Sequence, residues 1–181
     1  MRDSPPRQGG HYRLTYLVSI IRLRRPGRKP AERDAPAPSP IIVRLGGRYP
    51  PMVRLINPGE LSPPVGFSHV AEVDGWVWLG GQIASDETGR VLHAGDMAAQ
   101  FERALSNVVT ALRAAGCSSD NVVKLTYFVT DVAAYRQALK PIGESYRRLF
   151  GRHYPASSLF EVKGLFEPRA MIEIECVAVR P

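Results

Sequence analysis

The chain has 181 residues, room for one domain of about 100–150 residues and an appendage. Its formal net charge of +7 is unevenly spread: residues 1–51 hold 11 Lys/Arg against the three acids Asp3, Glu32 and Asp34, whereas residues 52–181 hold 13 against 14. A phosphate-binding surface needs its cations on the folded face, so the composition gives no reason to expect the domain to bind nucleic acid.

Residues 1–51 are rich in Pro, Arg and Gly, as in Arg24-Arg25-Pro26-Gly27-Arg28-Lys29-Pro30. Such a segment buries too little apolar surface to offset its ordering entropy, which predicts disorder. Three origins fit it: a basic tail that docks on acidic surfaces, an organelle-targeting peptide, or sequence upstream of a true start at Met52. The last is favoured, because targeting peptides are normally less proline-rich. The run Tyr16–Ile21 falls far short of the ~20 apolar residues that cross a membrane. Arg22, Arg24 and Arg25 follow it, where a secretory signal carries its charge in front. Cys117 and Cys176 are the only cysteines; they lack metal-ligand spacing and read as reduced thiols of a cytoplasmic protein.

From Met52 the pattern becomes globular. Apolar runs His69–Val73 and Trp76–Leu79 flank Asp74-Gly75, a strong hairpin signal. Gly80-Gly81 follows at once, so the backbone there bends or is closely approached. Residues 86–95 read as a loop. Asp96 is a good N-cap for a helix running to about Ala115, whose apolar face is Phe101, Leu105, Val108, Val109 and Leu112. Gly116 sits where a left-handed terminal residue is wanted. Val122–Val129 is a β-branched and aromatic strand. Asp131 opens a second helix bearing Tyr135, Leu139, Ile142, Tyr146, Leu149 and Phe150, which Pro141 should kink or split. Leu159–Val162 and Met171–Val179 are the closing strands. The order implies an α+β fold, a mixed sheet with two helices on one face, strands separated by helices joining in parallel.

In the last strand side chains alternate between faces. Ile172, Ile174, Cys176 and Ala178 suit a helix-covered core. Glu173, Glu175, Val177 and Val179 form the other face, either a solvated surface or a subunit interface or cleft; the pattern alone leaves both open.

Blocks spread along the domain resemble the RidA/YjgF family of reactive-intermediate deaminases. They are Asn57-Pro58, Gly66-Phe67-Ser68-His69-Val70, Gly80-Gly81-Gln82-Ile83, Asp96-Met97-Ala98-Ala99-Gln100, Ala114-Ala115-Gly116, Val122-Val123-Lys124-Leu125-Thr126, Tyr154-Pro155-Ala156-Ser157-Ser158 and Ile172-Glu173-Ile174-Glu175-Cys176-Val177-Ala178. The resemblance implies a chorismate-mutase-like subunit and a homotrimer with clefts between neighbouring subunits. Well-studied members hydrolyse enamines and imines without metal or cofactor, so neither is expected here. In them an arginine in a Pro-Ala-Arg-Ser motif pairs with the substrate carboxylate, a glutamate on the last strand positions water, and a tyrosine lines the cleft.

Carried over by position, the glutamate is Glu173 and the glycine pair is Gly80 and Gly81. Phe67 stands for the tyrosine, His69 for a nearby glutamine, and Ser157 for the arginine. A guanidinium offers two parallel donors and a permanent charge, a hydroxyl one neutral donor. Losing a charge-assisted bond costs about 1.5–3 kcal/mol, roughly ten- to a hundredfold in affinity. The sequence therefore points to an imine or enamine hydrolase of altered specificity, poor on 2-iminopropionate. Glu173 and His69 would be its catalytic groups, and Phe67, Gly80, Gly81, Ser157 and Ser158 would bind the small-molecule metabolite. The alternative is a trimeric small-molecule-binding module without chemistry. His69 reads equally as a half-buried strand residue, and Ser157 more simply as a loop serine bonded to nearby backbone. His11, His69, His93 and His153 form no ligand set, and no Gly-x-Ser-x-Gly turn marks a serine hydrolase.

Overall fold

Asp74 and Gly75 take positive φ, 50° and 83°, the pair of left-handed residues that a two-residue hairpin turn requires. The turn sets Val73 opposite Trp76 and pairs β2 (Val70–Val73) antiparallel with β3 (Trp76–Ile83). The computed structural model describes residues 53–181. The extension read over residues 1–51 lies outside the described residues.

The third strand runs on past Leu79, where the sequence placed its end. Between the pairs Leu79↔Cys176 and Gln82↔Ile174, β3 advances one residue more than its antiparallel partner β6 (Ile172–Val179). Gly80-Gly81 is therefore a bulge inside a continuous strand, opposite Glu175. A short edge strand absent from the sequence reading, β1 (Arg54–Ile56), pairs with β2. Its Arg54 donates to the buried Glu72 carboxylate at 2.7 Å, and Arg180 donates to the other oxygen at 2.8 Å.

The Asp96 carboxylate accepts the Ala99 N–H at 3.0 Å and starts α1 (Met97–Ala114). Phe101, Leu105, Val108 and Leu112 are buried on its inner face, and Gly116 ends it at φ 75°. Asp131 likewise caps α2 (Val132–Gln137) through the Ala134 N–H at 2.8 Å. The second predicted helix is split: α3 (Leu139–Phe150) begins afresh after Ala138. Pro141 falls in the first turn of α3, where a helix needs no N–H from it. Two main helices, α1 and α3, thus pack over the core, with α2 as a short link.

The sheet order is β1-β2-β3-β6-β4-β5, with β4 (Val122–Val129) and β5 (Ala156–Glu161). Only β4 and β5, joined through α2 and α3, are parallel neighbours. The strands flanking α1 are not: β6 lies between β3 and β4, antiparallel to both. Being antiparallel to the same strand, β3 and β4 do run parallel to each other, but not as neighbours, because the last strand fills the gap that the α1 crossover leaves. The fold is α+β with a mixed sheet. Along β6, Ile172, Ile174, Cys176 and Ala178 are buried in the core. The opposite sheet face carries Trp76, Trp78, Phe128, Phe160, Val177 and Val179, and no described helix covers it.

Candidate functional site

At the upper end of that uncovered face, Glu173 pairs with Ile83 on one side and Phe128 on the other. Its side chain lies flat across β3 because position 81 has none of its own. A Cβ at Gly81 would overlap the Glu173 carboxylate, meeting Oε1 and Cδ and standing 2.6 Å from Cγ. Gly80 is tight for a different reason: a Cβ there would stand 3.3 Å from the Ser68 carbonyl oxygen. The bulge is thus a shelf on which one carboxylate rests.

Glu173 is half-buried, and no hydrogen bond or ion pair is recorded to it among the described residues. Burial raises its pKa above the ordinary carboxylate value, and the neighbouring Glu175 charge raises it further. The carboxylate opens into a cavity of about 440 Å³ that Phe67, His69, Gly80, Gly81, Gln82, Phe166 and Glu167 help to line. Five of the seven residues expected in a site therefore meet in one place: Phe67, His69, Gly80, Gly81 and Glu173.

His69 is only 5% exposed, and both of its ring nitrogens are engaged. Nε2 stands 2.8 Å from the Ser62 carbonyl, which can only accept, so Nε2 carries the hydrogen. Nδ1 then accepts from the Gln82 amide at 3.3 Å, whose nitrogen also donates to the Gly80 carbonyl at 2.9 Å. The arrangement fixes one tautomer and spends it on the cavity wall. His69 braces the bulge and presents its ring edge to Phe67, with centroids 5.2 Å apart. With both nitrogens bonded to protein groups, the ring contributes an edge, not a free N–H or lone pair, to the cavity.

Ser157 and Ser158 are not part of this cavity within one chain. Strand β5 begins at Ala156, and its parallel register sets Ser157 beside Leu125 and Ser158 beside Thr126. Alternation sends Ser157 to the helix side, into a second cavity of about 280 Å³ with Tyr127, Tyr135, Tyr146, Tyr154 and Arg147. Its hydroxyl donates to the Pro155 carbonyl at 3.0 Å, the local backbone bond that suits a serine at a strand entrance. Ser158 points to the uncovered face and accepts from Lys124 Nζ at 2.6 Å.

The sequence reading missed four contributors. Gln82 stood in a quoted block, and its role shows only once the bulge turns it inward beside Ile174. Phe166 and Glu167 lie in the loop before β6, where a lone aromatic between Gly164 and Pro168 was the one signal. Gln100, fully buried on α1, accepts the Met171 N–H at 2.7 Å and donates to the Arg169 carbonyl at 2.9 Å, anchoring that loop. The two cysteines are free and buried; burial pushes the Cys176 thiol up to about 12. Among the described residues no group of three His, Cys, Asp or Glu is placed to hold a metal, and no helix is long and apolar enough to cross a membrane.

A family profile described as Endoribonuclease L-PSP matches residues 59–180. The chain is 33% identical over 124 residues to a human 2-iminobutanoate/2-iminopropanoate deaminase, covering 68% of this chain and 84% of that one. It is 31% identical over 127 residues to the RutC family protein UK114 of Drosophila melanogaster, covering 70% and 88%. Among solved structures, E. coli TdcF with bound serine superposes with a TM-score of 0.62 at 28% identity, covering 71% of this chain and 99% of that one. The Rid-family protein YyfA from Yersinia pestis gives 0.63 at 28%, covering 71% and 99%. With the profile spanning most of the described residues and solved Rid-family structures sharing the fold, the chain belongs to the endoribonuclease L-PSP family, the RidA/YjgF group.

Proposed function

We propose that the domain hydrolyses reactive imines or enamines as a homotrimer, with Glu173 positioning and deprotonating the attacking water, and with a substrate preference changed by the serine at position 157. One observation carries the reading: a half-buried carboxylate of raised pKa, without a cation among the described residues, rests on Gly81 at the wall of an open cavity. Such a group adds little to stability and is suited to proton transfer. Imine hydrolysis needs a proton removed from water as the C–O bond forms and a proton returned to nitrogen as the C–N bond breaks. A single carboxylate can do both in turn.

The activity named for the human relative supports the reaction class. Ser157 argues against the same substrate, because a hydroxyl cannot pair with a carboxylate as a guanidinium does. The trimer is supported by the uncovered sheet face, on which Trp76, Trp78, Phe160 and Val179 stand exposed together. It would also let Ser157 of one copy approach the Glu173 cavity of the next. Ribonuclease activity is not carried over: the cavity lining holds two carboxylates and no lysine or arginine, the reverse of what a polyanion needs.

The test is Glu173→Gln in the full chain, assayed on imines released in situ by an amine oxidase or an amino-acid oxidase. The rate should fall by about 10²-fold or more while the circular dichroism spectrum is unchanged. An undiminished rate would remove Glu173 from the chemistry. Ligand binding with no turnover in either protein would leave the cavity as a binding site alone.

A further inference from the structure

Two features of the Glu173 cavity go beyond what imine hydrolysis requires. The first is its charge. Glu167 and Glu173 line it, and neither lysine nor arginine does. Two arginines stand just behind the lining: Arg169 forms an ion pair with Glu167, Nε to Oε1 3.7 Å, and Arg103 donates to the carbonyl of the lining residue Ser85 at 2.9 Å. Arg90, on the neighbouring loop, is held by Asp86 at 3.2 Å. On the wall that one copy supplies, a carboxylate-bearing ligand would face charge of its own sign. The second feature is a pair of phenylalanines on the rim. Phe67 is 54% exposed and Phe166 102% exposed. Phe67 is steadied by the His69 ring edge, and the loop bearing Phe166 is anchored at its base by Gln100.

We propose that this cavity selects a cationic or neutral substrate bearing an aryl or bulky apolar group, an iminium derived from an aryl-alkyl amine in preference to an imino acid. The apolar group lies between Phe67 and Phe166, and the nitrogen faces Glu173 and Glu167. The inference rests on the hydrolase reading for its chemistry, not for its binding preference. Water adds to the iminium carbon, its proton passes to Glu173, and the C=N electron pair moves to nitrogen. The carbinolamine then collapses: nitrogen takes the proton back from Glu173 and leaves with the C–N pair, while the hydroxyl proton returns through the same carboxylate. The balance is iminium plus water to carbonyl compound plus ammonium.

The experiment is calorimetric titration of the full chain with 2-phenylethylammonium and with 3-phenylpropionate, two probes with a ring and a short tether but opposite charge. The ammonium should bind about tenfold more tightly or better, the size of one charge-assisted contact. That preference should shrink with added salt and in Glu167→Gln. Phe166→Ala should weaken both probes about tenfold, as loss of a phenyl contact does. Equal or tighter binding of the carboxylate overturns the proposal and, if Arg169→Gln abolishes it, names Arg169 as an anion anchor. No binding of either probe also overturns it. A Phe166→Ala protein with unchanged affinities and an altered mass by light scattering assigns Phe166 to a contact between copies and removes the clamp. Selective ammonium binding without hydrolysis of the matching iminium would retire the hydrolase reading and leave this inference standing. Hydrolysis that prefers imino acids would do the reverse.

Discussion

Glycine at position 81 serves the side chain laid upon it more than its own backbone. It does not take a positive φ, so alanine there is tolerated by the main chain, and the atoms in its way are the far end of Glu173. Gly81→Ala should therefore melt close to wild type yet lose activity about as Glu173→Gln does, roughly 10²-fold. Gly80→Ala should do the opposite first, losing stability, because its Cβ presses on the Ser68 carbonyl, which is backbone. A Gly81→Ala enzyme of wild-type rate would mean that the carboxylate works from some other position.

The titration of Glu173 gives a second test at this scale. Activity needs the ionised form, so the rate should fall as pH falls through a pKa held above the usual carboxylate range, first by burial and then by Glu175. Glu175→Gln removes one of those causes and should move the acid limb to lower pH. Stability carries the opposite sign. A pKa raised by folding means that folding favours the protonated form, a contribution present at low pH and lost as pH rises through the folded pKa. Glu173→Gln should accordingly melt above wild type at neutral pH, and the gain should vanish below about pH 4, where the unfolded carboxyl is also protonated. Thermal melts across pH check this. An increment independent of pH would mean that the charge of Glu173 is not what folding opposes.

Local signals carried the elements well. Asp96 and Asp131 cap helices, Pro141 falls where one divides, Asp74-Gly75 turns a hairpin, and the alternation of Ile172–Val179 separates core from uncovered face, because each is decided within a few residues of chain. The insertion of β6 between β3 and β4 is a long-range pairing that no local pattern records. Glu173 and Gly81 were legible as candidates through their motif blocks, and the structure brings the two together at one cavity. The direction of Ser157 was not: strand side follows from where β5 begins, and a start at Ala156 in place of Leu159 depends on the register against β4. Gln100 illustrates the same limit, since a helix glutamine looks like surface until its partners arrive from 69 and 71 residues away. Gln100→Leu removes the partner of the part-buried Met171 N–H and Arg169 carbonyl, at a cost of at most about 1–3 kcal/mol for each such group. Urea denaturation should register that loss. Probe binding should weaken as well, because the freed loop carries Phe166 and Glu167. Unchanged stability would show that the loop is held by other contacts.

At the scale of the whole molecule, one sheet face lies against helices and the other presents Trp76, Trp78 and Phe160 to solvent. Light scattering should give three times the subunit mass, and Trp78→Glu should reduce it by placing charge in the centre of the face. In the proposed trimer each cleft would take one residue from each of two copies, which would account for the separation of Ser157 and Glu173 within one chain. Complementation tests that directly. Wild type should hydrolyse 2-iminopropionate poorly, lacking a guanidinium at position 157. Ser157→Arg combined with Glu173→Gln should be inactive, having the guanidinium but no base. Trimers co-refolded from the two should recover activity, because some clefts then receive arginine from one copy and Glu173 from the next. Recovery should follow the mixing ratio, peak near equal amounts, and be absent when separately refolded trimers are combined without exchange. No recovery, alongside a Ser157→Arg single variant that does gain activity, would place the working site within one chain and remove the inter-subunit cleft.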